Sequence, residues 1–101
     1  SALERVISET ELLTQLRNGN PVIREFELRA QNGSTTSVHM VVIYGYFINS
    51  SGNVVYRIRD PWPSVSNPWP SNNPGQSGVK TYSQLVNANG TEVWTKSVMR
   101  Q

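Results

Sequence analysis

Hydrophobic residues recur along this chain with two periods, and the change from one to the other marks the elements. In SETELLTQLR, residues 8–17, Leu12, Leu13 and Leu16 fall on one face at helical spacing. Ser8 and Glu11, three apart, match a capping box, so the pattern predicts a short amphipathic helix starting at Ser8. Asn18-Gly19 supplies a stop, and Pro21 prevents the helix from resuming. From Pro21 the period drops to two. In PVIREFELRA, 21–30, Val22, Phe26 and Leu28 share one parity while Glu25, Glu27 and Arg29 share the other, which predicts a strand with one wet face. QNGSTTS, 31–37, reads as a polar connector. VHMVVIYGYFI, 38–48, is apolar at both parities and predicts a central strand covered on both faces. NSSGN, 49–53, predicts a turn, and VVYRIRD, 54–60, a return strand charged on one parity only.

Residues 61–78 break the pattern. They hold all but one of the six prolines, and Pro-Trp-Pro occurs twice, at 61–63 and 68–70. Proline fixes φ, so this Pro/Trp/Asn-rich stretch predicts one long, semi-rigid surface loop. Beyond it, VKTYSQLVNANG predicts a short strand and a turn or single helical turn around Ser83–Val86. TEVWTKSVM, 91–99, predicts a closing strand with Val93, Thr95 and Ser97 on one side and Glu92, Trp94, Lys96 and Val98 on the other. The sum is a single α+β domain over 1–101: one N-terminal helix packed on an antiparallel sheet of four to five strands.

Composition narrows what such a domain does. Apolar residues make up 37% and charged residues 16%, with Asn, Ser and Thr filling the gap, which argues for a small core rather than disorder. The net charge of +2 comes from scattered Lys and Arg with no basic patch, which argues against nucleic acid. With no cysteine, this chain supplies no disulfide, thiolate metal site or thiol nucleophile. A single histidine makes a histidine-rich metal centre impossible, and no cofactor is implied. No apolar run approaches the ~18 residues of a membrane span.

The single histidine, His39, is the candidate for chemistry. If Asn49 and Asn53 close the turn, His39 falls opposite Pro63 and Asp60 lies three positions short of that point. A bulge or a slightly different turn brings the two closer, at the same end of adjacent strands. A carboxylate beside an imidazole holds one ring tautomer and stabilises the imidazolium, which is the base-and-orienter half of a nucleophilic triad. The competing reading is plain: strand histidines are mostly structural, and Asp-Pro commonly just starts a turn. Ser37, two residues before His39, reads as a connector residue rather than a nucleophile. The sequons at Asn32, Asn49 and Asn89 decide nothing in a chain so rich in Asn, Ser and Thr.

NGNPVIREFEL, HMVVIYGY and VVYRIRDPWP, taken together, resemble the C-terminal half of a papain-like cysteine peptidase. The resemblance is to the bacterial group with a short His-to-Asp spacing, which includes bacteriocin-export-associated and staphopain-like peptidases. It covers residues 8–63 well and extends loosely to Tyr82 and Trp94. Its centre is His-x-Val-Val-x-x-Gly-Tyr followed by Asp-Pro-Trp. It implies that His39 is the general base, that Asp60 orients it, and that Trp62 is the aromatic residue beside the pair, near the substrate. It also implies a curled sheet, the β-subdomain of the papain-like fold, and a secreted bacterial setting.

The family's nucleophilic cysteine and oxyanion glutamine belong to a helical N-terminal half that nothing here matches. The expected function is therefore a peptidase portion that supplies base and orienter and is inactive alone. Its partners are a Cys-bearing N-terminal half or partner chain and a peptide or protein substrate, and the interface it would expose allows self-association. The alternative is a peptidase-derived binding module without catalysis, using Trp62 and Trp69 of the Pro-Trp-Pro loop as a rigid aromatic platform.

Overall fold

A computed structural model describes residues 1–60 and 76–100. Among the described residues, seven strands form one antiparallel sheet, accompanied by two helices. In chain order the elements are β1 (Ala2–Leu3), α1 (Glu9–Arg17), β2 (Val22–Arg29), β3 (Thr35–Ile48), β4 (Val54–Asp60), β5 (Gln76–Lys80), α2 (Tyr82–Val86), β6 (Asn87–Ala88) and β7 (Glu92–Met99). Across the sheet the order is β1-β7-β2-β3-β4-β5, with β6 also paired to β7.

This overturns the expected architecture of one N-terminal helix on a curled sheet of four to five strands. β1 and β6 are two residues each, too short to carry a period-two signal. Thr81 and Gln84 form a second capping box, so the turn around Ser83–Val86 closes into a helix of its own. The C-terminal strand also inserts between β1 and β2 instead of closing an edge.

Helix α1 starts as its sequence demands. The Ser8 hydroxyl accepts from the Glu11 backbone N–H, and the Glu11 carboxylate accepts from the Ser8 N–H at 2.8 Å. Arg5 adds two contacts to the same carboxylate, at 2.9 and 2.8 Å. The hydrogen bond from Arg5, with the one from the Ser8 backbone, holds the Glu11 carboxyl down at about 2. Leu12 is fully buried, and Leu13 and Leu16 pack against the same cluster.

The three hairpins are closed by the chemistry their sequences carry. Gly33 and Gly52 take positive φ in the loops after Ala30 and Asn49, each a three-residue loop ending in a left-handed residue. Asn89 and Gly90, with φ of 54° and 77°, are the left-handed residues of the three-residue connection between β6 and β7. Asn32 and Asn49 each accept from backbone N–H groups two residues on. All three sequon asparagines are therefore in tight turns.

The core lies on one side of the sheet. Ile7, Leu12, Val22, Ile43, Tyr56, Leu85 and Trp94 form one buried cluster beneath α1 and α2. Tyr56 donates to Glu9 at 2.7 Å and Tyr82 donates to the Ile7 carbonyl at 2.8 Å, tying the helix start to the sheet and α2. Burial, then the bond to Glu9, pushes the Tyr56 phenol well above its ordinary range. The other side is open along β3. Val38, Met40 and Tyr44 are exposed, so the strand expected to be covered on both faces is covered on one. A strand apolar at both parities fits either arrangement, and only the sheet's neighbours decide between them.

Besides the register shift between Leu28 and Arg29, opposite Thr36 of β3, two bulges break the strict alternation assumed from sequence. One falls opposite Glu25 and Phe26 on β7, so Trp94 and Ser97, three apart, are both buried. The other falls at Tyr44 in β3 and has consequences for the site. Among the described residues, no helix is long and apolar enough to cross a membrane.

Candidate active site

His39 and Asp60 meet because of the Tyr44 bulge. Above it β3 and β4 pair Tyr46 with Tyr56 and Gly45 with Arg57. Below it the register slips by one, to Ile43 with Ile58 and Val42 with Arg59. One more step sets Asp60 beside Val41. Had the upper register continued, Asp60 would have fallen beside Val42, whose side chain points to the opposite face from His39. With the slip, Asp60 and His39 share a face and are diagonal neighbours, within side-chain reach. The bulge also accounts for Gly-Tyr seven residues after the histidine: His39 and Tyr46 have opposite parity, yet Tyr46 packs against the core on His39's side.

The contact itself is short. His39 Nε2 lies 2.7 Å from Asp60 Oδ2. A carboxylate only accepts, so Nε2 carries the proton and donates it, leaving Nδ1 as the nitrogen that can take one up. The two side chains are 28% and 27% exposed, half-sheltered rather than sealed, as a group that must meet a second reactant requires.

Beneath the imidazole is a layer that sequence reading did not single out. Phe26 pairs directly with His39 across β2 and β3, and their rings meet edge to face at 5.5 Å and 74°. The Arg24 guanidinium lies over the Phe26 ring, 4.1 Å from its centroid. Desolvated contacts of this kind contribute about 2 kcal/mol. Arg24 is fully buried. Its Nε–H donates to the Leu85 carbonyl at 2.9 Å, and Nη2 is 3.5 Å from a Glu92 carboxylate oxygen. That approach gives charge proximity without hydrogen-bond geometry, so neither Nη group completes a hydrogen bond among the described residues. Burial pushes the guanidinium down to about 10 against the opposing pull of Glu92. The signal was available: Arg24 is the one charged residue on the apolar parity of β2.

Ser37 is exposed two residues before His39 and makes no hydrogen bond to it. Trp62, and with it the Pro-Trp-Pro stretch, lies outside the described residues. Among the described residues no group of three or more His, Cys, Asp or Glu side chains is arranged to hold a metal.

Comparison with known proteins gives one finding. The model of the Peptidase_C39 like family matches residues 4–93. Neither the curated proteins nor the solved structures gave a match. The matched span takes in α1, the hairpin that carries His39 and Asp60, and the start of β7, which makes this a peptidase-related domain. On that span, the chain belongs to the Peptidase_C39 like family.

Proposed function

We propose that this domain supplies the general base and its orienting carboxylate to a cysteine peptidase whose thiol is carried elsewhere, on a helical N-terminal half or a partner chain. The 2.7 Å contact between His39 Nε2 and Asp60 Oδ2 is the observation that carries the reading. It favours Nε2 as the nitrogen that carries the proton, and the family match supports the class of chemistry.

In the reaction, His39 Nδ1 takes the proton of the incoming thiol, giving a thiolate and an imidazolium held by Asp60. The thiolate attacks the scissile carbonyl carbon of a peptide, and the charge that develops on oxygen is met by donors of the other half. The imidazolium returns its proton to the leaving amine as the C–N bond breaks. His39 then accepts a proton from the water that hydrolyses the thioester, and the thiol is restored. On the family resemblance alone, Trp62 is assigned a substrate-binding role.

The test is activity of the full-length gene product, or of this chain mixed with a Cys-bearing partner, on a general peptide substrate. Hydrolysis should be abolished by a thiol alkylator and should fall about 10²–10⁴-fold in His39→Ala. This chain alone, with no cysteine, should show none. Activity insensitive to the alkylator, or unchanged in His39→Ala, would sink the proposal and leave a binding module as the better account.

A further inference from the structure

Asp60 fixes only one end of the imidazole. A ring held at Nε2 alone still rotates about that bond and swings Nδ1 away from the direction in which a thiol must approach. A second contact is needed, and the sheet has one. We propose that Phe26, braced by the buried Arg24 guanidinium, is the positioning residue that fixes the plane of the His39 ring. The inference rests on the reading of His39 as a base.

Three observations converge on it. Phe26 is directly across from His39 in the β2–β3 ladder, so the edge-to-face contact is built into the register rather than dependent on a loop. Phe26 is itself 4% exposed, and a ring packed that tightly has few other rotamers available. Arg24 is the least expected feature of the core: a fully buried cation whose Nη groups complete no hydrogen bond among the described residues. Such a group is costly, and a hydrophobic residue of similar size would serve packing equally well or better. What it does uniquely is set a positive charge over the face of the ring that abuts the base. Leu85 and Glu92 in turn hold the guanidinium from α2 and β7, so three elements converge on the plane of one imidazole.

The test uses the chain as it stands, with His39 as its only histidine and therefore a single imidazole signal. The readout is the exchange rate of the imidazole Nε2–H proton in ¹⁵N–¹H spectra. The intact chain should show a protected proton. Phe26→Leu, which keeps an apolar side chain but removes the ring, should speed its exchange by about tenfold or more. Arg24→Met keeps the aliphatic stem and removes the charge. It should speed exchange in the same direction while the melting temperature holds or rises, a combination that a merely structural role would not give. Phe26→Tyr, which keeps the ring, should restore protection. Unchanged exchange in both Phe26→Leu and Arg24→Met overturns the inference. Asp60→Ala separates this from the reading beneath it. If that variant leaves the proton protected, the base-and-orienter assignment itself fails. If protection is lost there but not in Phe26→Leu, only the positioning role fails.

Discussion

A histidine works as a directed base only when one ring nitrogen is held and the other is left to accept a proton, and at residue scale His39 meets that condition. Its Nε2 is engaged by Asp60, which leaves Nδ1. If orientation is what Asp60 mainly contributes, graded variants should separate in the active assembly. Asp60→Asn keeps an oxygen that accepts from Nε2–H and should lose least. Asp60→Ala removes the acceptor and should lose more, and His39→Ala should lose the full general-base contribution of about 10²–10⁴ in kcat. Equal losses in Asn and Ala would show that charge, not orientation, is Asp60's contribution. The residue types of this site were legible in the sequence, because a single histidine and an Asp-Pro-Trp strand end stand out against so little charge. Arg24 was equally visible on an otherwise apolar parity. Its meaning was not visible, because the cation matters through Phe26, and that contact needs the β2–β3 register.

At the scale of elements, the local signals that carry their own hydrogen bonds were the readable ones. Ser8 and Glu11 close the cap of α1, and the turns at Gly33 and Gly52 close as their glycines require. Ser8→Ala should therefore cost about 1 kcal/mol, measured by urea unfolding. The Glu11 carboxyl also gives the helix a pH dependence with a definite sign. Its folded value of about 2 lies below the ordinary 4.5, so as pH falls the unfolded chain takes up the proton first. The stabilisation is complete above about 4.5 and is lost as pH falls to about 2. Backbone amides of the first turn of α1 should lose protection across that window, and Glu11→Gln should flatten the dependence. A loss of protection that begins near neutral pH would contradict this assignment. Bulges are a different case. Gly45 beside Tyr44 is the local hint of a bulge in HMVVIYGY, but where the extra residue falls is settled by where the neighbouring strand finds its partners. That single slip decides which face Asp60 occupies, so residue types sufficed to nominate the pair but not to join it. The same holds for β1 and β6, whose two-residue lengths exist only as partners of β7.

At the scale of the molecule, the described residues form a sheet with one buried face and one open along β3. The helices cover the face that carries Ile43, Tyr56 and Trp94, while Val38, Met40 and Tyr44 lie exposed on the other. His39 and Asp60 lie on the covered face but toward its end, where they remain partly exposed. That placement suits the proposed base, which would meet a thiol carried elsewhere, since this chain has no cysteine. The most direct measurement of this claim is the rate at which the cysteine of the complete enzyme is alkylated, followed from pH 5 to 9. If His39 draws the proton from the thiol, alkylation should stay fast well below the ordinary thiol value of about 8.5, and His39→Ala should return the profile to that of an ordinary cysteine. A profile that already resembles a free thiol, and that His39→Ala leaves unchanged, would contradict the account.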